Sequence, residues 1–228
     1  MKLSISTTRR QTLLGWAYWL ISLFVLPSAF ETINNQLATP LPESVLNLIF
    51  FSVNFLAVVC IFHGFLWESL KAAAEKMWKC LGIAALGIAV HYAALWLITQ
   101  CNMAIKPGFS NVNDNSILNM LDEHTPLLAF ATVFFVPVAE ETLYRGLLFQ
   151  TMQRQNRLMA YIMSVALFSS IHVMGYVGVY DPLTLTLCFV QYLPVGVILA
   201  LAYEQTDTII APILIHTFIN LIGLFITR

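Results

Sequence analysis

The chain has 228 residues, of which 59% are apolar and 10% charged, where a soluble domain carries about 25% charged residues. Mean hydropathy is +0.78 and formal net charge −1, which excludes a water-soluble globule, a disordered chain and a basic nucleic-acid-binding face. Cys60, Cys80, Cys101 and Cys188 have neither metal-type spacing nor the look of a disulfide framework, and read most simply as buried small apolar groups.

The class that remains is an all-α, polytopic integral membrane helix bundle of about seven transmembrane helices, seven or eight. A membrane helix needs about 20 mostly apolar residues. Windows of that size fall at roughly Leu13–Phe30, Val45–Trp67, Cys80–Ile98, Pro126–Gln150, Leu158–Val173, Leu183–Ala202 and Ile209–Ile226. The first has a basic start but an apolar run long for a signal peptide and no small-x-small site after it, so it reads as a retained helix. Turn-like joints separate the windows: Asn34-Asn35, Thr39-Pro40-Leu41-Pro42, Lys106-Pro107-Gly108, Asn111 to Asn115, and Asp181-Pro182. Residues 1–125 are expected to hold three helices with their loops, and residues 126–228 a four-helix core, in one integrated domain. No internal repeat or low-complexity tract stands out.

Orientation follows from Lys and Arg, which concentrate on the cytoplasmic side. With the N-terminus in the cytoplasm, Lys2, Arg9, Arg10, Lys71, Lys76, Lys79, Arg145, Arg154 and Arg157 lie inside, and only Lys106 and Arg228 outside. The longest outside segment, 99–125, is polar and reads as a surface loop.

Ionisable groups within a bilayer are costly and are functional candidates by default. The last four windows carry Glu140, Glu141, Arg145, His172, His216 and Asn220. At about 1.5 Å rise per residue, Glu140 lies about 15 Å from its assumed cytoplasmic helix end, His172 about 21 Å, His216 about 12 Å and Asn220 about 18 Å. All four fall in one layer near the midplane of a core about 30 Å thick. Glu141 and Arg145 are i,i+4 and can pair, leaving Glu140 without an assigned cation. Such a carboxylate suits a general base. Phe168, four residues before His172, can wall its imidazole, and His216 and Asn220 repeat that spacing. Pro137 and Pro212 are each expected to bend a helix and open a water-admitting cavity. A Glu and a His that hold one water, with a second His and an Asn as oxyanion donors, suit amide hydrolysis.

Alone, the Glu141–Arg145 pair reads more often as structural than catalytic. His91 reads as a helix-packing donor, His63 and His124 as interfacial or loop residues, and Trp16, Trp19, Trp67, Trp78 and Trp96 mostly as interface anchors. H-E-x-x-H, G-x-S-x-G and paired intramembrane aspartates are missing, which weighs against zincin, serine and aspartyl classes.

The segment Glu140-Glu141-Thr142-Leu143-Tyr144-Arg145-Gly146 resembles the EExxxR motif of the CPBP (Abi) family of intramembrane endopeptidases. Phe168 to His172 resembles its FxxxH motif and His216 to Asn220 its HxxxN motif, so the likeness covers about residues 126–224. The resemblance implies that Glu140 activates water with help from His172, and that His216 and Asn220 form the oxyanion hole. Glu141, Arg145 and Phe168 would support them. It favours a site without cofactor; if zinc were bound, Glu140, His172 and His216 would hold it. The implied partners are the bilayer and a membrane-anchored or lipidated peptide, reached from the cytoplasmic side. A non-catalytic immunity or regulatory membrane protein of the same family is the alternative, and a transporter relay a more distant one.

Overall fold

The computed structural model describes residues 3–121 and 125–226; His124, Asp122, Lys2 and Arg228 lie outside the described residues. Among the described residues eight helical elements follow one another: α1 (Arg9–Asn35), α2 (Glu43–Glu75), α3 (Met77–Ile105), α4 (Val112–Leu121), α5 (Pro126–Gln153), α6 (Arg157–Met174), α7 (Pro182–Thr206) and α8 (Ile210–Ile226). Six of them, α1 to α3 and α5 to α7, are long and apolar enough to cross a membrane, and α8 is a shorter apolar helix. The seven predicted windows are thus all helical, but most of the helices run beyond them. At 33 residues α2 is about 50 Å long, well beyond an apolar core of about 30 Å. Its last turns carry Glu68, Lys71 and Glu75, which hydropathy excludes from a span.

One expectation for the outside segment fails. Residues 99–121 are not a plain loop: α3 continues to Ile105, a turn follows, and α4 begins at Val112. Asn111 starts α4, its side-chain oxygen accepting from the backbone N–H groups of Asn113 and Asp114 at 3.0 and 3.3 Å. The Asn-rich composition that reads as loop supplies the cap. Gly108, with φ +79°, makes the preceding turn in a backbone region that side chains disfavour.

Two faces of the bundle can be told apart by their contacts. On one, residues 3–8 lie beside the ends of α5 and α7. Gln150 accepts from the Thr7 backbone N–H at 2.9 Å and donates to the Ile5 carbonyl at 2.8 Å. Ser4 donates to Asp207, and the Thr208 hydroxyl donates to the Ser69 carbonyl at 2.7 Å. On the other face Lys106 pairs with Asp181 at 2.7 Å, which caps α7 by accepting from the Thr184 N–H at 3.0 Å.

Close helix contacts rest on small residues. A Cβ on Gly15 of α1 would lie 2.4 Å from Phe62 Cζ, and one on Gly146 of α5 would lie 2.8 Å from Phe65 Cε1. These contacts tie α1 and α2 to α5 around a core that includes Phe62, Phe65, Leu147, Phe149, Leu199 and Tyr203.

The two prolines sit in different settings. Pro137 lies inside α5. It follows a π-helical turn, Ala131–Phe135, and Pro27 likewise follows one at Ile21–Val25. A proline ring clashes with the carbonyl four residues back, and a widened turn relieves that clash. Pro212 lies in the first turn of α8, where its missing N–H costs nothing, so it opens no bend beside His216.

Three smaller readings also change. Arg145 is no cytoplasmic-segment charge, being wholly buried in the bundle. Cys80 and Cys188 are buried, but Cys60 and Cys101 are exposed on the helix exterior. Trp67, Trp78 and Trp96 are exposed as interface anchors would be, whereas Trp19 faces the interior cavity.

Candidate active site

The side chains expected from sequence to meet do meet. Glu140 and Glu141 come from the middle of α5, His172 from the end of α6, and His216 and Asn220 from α8. Glu140, His172, His216 and Asn220 all line one cavity of about 760 Å3.

Glu141 and Arg145 are both fully buried and paired at 2.9 Å. Arg145 also donates to the Gly196 carbonyl of α7 at 3.0 Å, and its guanidinium lies 4.4 Å from the centre of the Phe168 ring. The pair does more than neutralise itself. The same Glu141 oxygen, Oε1, lies 2.8 Å from His216 Nδ1. A carboxylate held by an arginine only accepts, so Nδ1 carries the proton and donates. His216 Nε2 is thereby turned towards Glu140, whose Oε2 is 4.0 Å away.

His172 is set by the same logic. Its Nδ1 lies 2.8 Å from the Phe168 carbonyl, which can only accept, so Nδ1 is again the donor. In their neutral forms both imidazoles therefore keep a lone pair on Nε2. The four-residue spacing places Phe168 beside His172, and their ring centres are 4.8 Å apart. Phe168 also meets His216 edge-on at 5.9 Å, so a single ring spaces both histidines and the arginine.

Asn220 is anchored by a consequence of Pro137. In the π-helical turn the Val136 N–H bonds to the Ala131 carbonyl. The next bond of that pattern would run from residue 137 to Thr132, but proline has no N–H. The Thr132 carbonyl is left over, and Asn220 Nδ2 donates to it at 2.9 Å. An amide nitrogen carries two hydrogens, so one remains for the cavity. Glu140 Oε2 is buried without a hydrogen-bond partner, and its side chain is 22% exposed overall.

Two cavity residues escape a reading of the sequence. His91 of α3 lines the same space, where its sequence context suggests only a packing donor. Its position in mid-helix is the available signal. Tyr192 of α7 stacks on His172, with ring centres 4.1 Å apart and planes 27° apart. Its hydroxyl donates to Asp114 at 2.6 Å and accepts from Asn113 Nδ2 at 3.0 Å, both on α4. Nothing in the sequence marks Tyr192 among eight tyrosines. The N-terminal half contributes too, with Trp19 from α1 and Asn54 from α2 on the cavity wall. Among the described residues, no three His, Cys, Asp or Glu side chains converge closely enough to hold a metal ion.

Helices of this length and apolarity define a multi-pass integral membrane protein, with a cavity inside the bundle that carries these polar side chains on a largely apolar wall. Residues 122–222 match the model of the family described as type II CAAX prenyl endopeptidase Rce1-like, in line with the CPBP (Abi) resemblance. No curated protein and no solved structure matches the chain.

Proposed function

We propose that the protein is an intramembrane endopeptidase that hydrolyses a peptide bond in a membrane-anchored or lipidated peptide, using water activated by Glu140. The observation that carries this reading is the approach of Glu140, His172, His216 and Asn220, from three helices, to one cavity in which Glu140 Oε2 has no hydrogen-bond partner.

Water held between the Glu140 carboxylate and His172 Nε2 attacks the carbonyl carbon and gives its proton to Glu140. The carbonyl oxygen becomes an oxyanion. It receives the second hydrogen of Asn220 Nδ2 and, when the ring is doubly protonated, the Nε2–H of His216. Glu141 aims that ring by accepting from Nδ1. When the C–N bond breaks, Glu140 returns its proton to the leaving amine. No metal or cofactor enters this sequence. Arg145 holds the Glu141 carboxylate in place, and the Phe168 ring packs against both imidazoles.

The test is hydrolysis of a lipid-tethered, fluorescence-quenched peptide by purified protein in bilayers. Glu140→Gln is expected to abolish turnover. Asn220→Ala is expected to lower kcat by about 10²–10³, the usual loss for one oxyanion donor. Full activity in Glu140→Gln would refute the assigned chemistry.

A further inference from the structure

The cavity is not symmetric across the bundle. From Glu140 and His216 its lining runs to the exposed residues Glu43, Asp114, Met174 and Gly175. These sit at the start of α2, on α4 and at the end of α6, all on the face where Lys106 meets Asp181. The opposite face is closed. Below Glu141, α5 buries Leu147, Phe149 and Gln150. Residues 3–8 then cover the end of the bundle, with Gln150 bonded to Thr7, Ile5 and the Tyr203 hydroxyl.

Charge divides along the same axis. Among the described residues outside the core, the closed face carries Arg9, Arg10, Lys71, Lys76, Lys79, Arg154 and Arg157, and the open face only Lys106. Seven against one places the closed face in the cytoplasm. Lys106 is itself taken up by Asp181 and Thr184. The mouth therefore presents Glu43 and Asp114 without a free cation among the described residues, and favours a positively charged visitor.

We infer that the site is reached from the non-cytoplasmic side, by a membrane-anchored peptide with basic residues beside the bond to be cut. This reverses the cytoplasmic access expected from sequence, because Lys and Arg placement orients the helices but does not say which end of the bundle is sealed. The inference rests on the endopeptidase reading for its substrate, and on geometry and charge alone for its direction.

The two are tested separately. In full-length protein with its four cysteines replaced, Gln191→Cys reports on the cavity wall and Arg154→Cys on the sealed face. A membrane-impermeant maleimide added to cells with an intact cytoplasmic membrane is expected to label Gln191→Cys and to label Arg154→Cys only after permeabilisation. The reverse pattern, or labelling of both only after permeabilisation, would overturn the direction whatever the activity. In proteoliposomes carrying the peptide on the outer leaflet only, cleavage should scale with the fraction of protein whose Gln191→Cys counterpart labels from outside. A Lys-flanked peptide should show a several-fold lower KM than a Glu-flanked one, with the gap narrowing as salt rises; equal KM values would overturn the basic-substrate part. Correct labelling without cleavage in either orientation would count against the endopeptidase reading and leave the direction standing.

Discussion

Replacing Arg145 by Met is the sharpest test of how the site is held. Arg145 and Glu141 have no exposed side-chain surface, and Arg145 also holds the Gly196 carbonyl. Removing one member of a buried pair leaves an uncompensated charge, at a cost of about 3–5 kcal/mol. For a chain of this size each kcal/mol moves the unfolding midpoint by about 2–4 °C, so a fall of about 6–20 °C is expected. The double variant Glu141→Gln/Arg145→Met removes both charges, while the Gln carbonyl oxygen can still accept from His216 Nδ1. Since replacing both partners is far less costly than breaking the pair, the double variant should recover more than half of the loss. The assay is thermal unfolding in detergent micelles, followed by intrinsic tryptophan fluorescence. A single variant that unfolds within about 2 °C of the parent, or a double variant no more stable than the single, would refute the claim that this pair is the electrostatic anchor of the site.

Tyr192→Phe keeps the stack on His172 but loses the hydroxyl that ties it to Asp114 and Asn113; kcat on the tethered peptide should fall about twofold to tenfold, the worth of one hydrogen bond, with KM unchanged. Pro137→Ala restores an N–H that can claim the Thr132 carbonyl from Asn220, so activity should drop while the unfolding midpoint holds or rises, and unchanged kcat would contradict the link. Gly146→Ala puts a methyl 2.8 Å from Phe65 and should destabilise by about 1–3 kcal/mol through overpacking, whereas Gly82→Ala, which meets nothing within 4 Å, should not. Asp181 is held below the usual carboxylate range by the Lys106 ammonium and then by Thr184. Its stabilising contribution is therefore present above the unfolded value of about 3.9 and is lost as pH falls through the lower folded value. Asp181→Asn should accordingly lower the melting midpoint at pH 7, and the difference from the parent should shrink as pH drops below about 4.

Much of the candidate site is legible in one dimension. Membrane helices declare themselves by length and apolarity, since every backbone polar group must be satisfied within the helix. Against that background Glu140, His172, His216 and Asn220 stand out, and a fixed rise per residue puts them at one depth. Spacing of four residues also identifies the Glu141–Arg145 pair and the Phe168–His172 contact, because i and i+4 share a helix face. Composition misleads over residues 111–121, whose short helix needs tertiary partners such as Tyr192 to be worth forming.

What sequence periodicity cannot supply is which face of one helix meets which face of another. That choice made Glu141 the acceptor for His216 from 75 residues away, gave Asn220 the carbonyl that Pro137 leaves over, and brought Tyr192 and His91 to the cavity wall. It also closed the Lys- and Arg-rich end with the chain's own first residues. Helix content and depth are local properties of a chain in lipid, set by hydrogen-bond satisfaction and hydropathy; partners, tautomers and the direction of access depend on packing between distant segments, which only the assembled bundle decides.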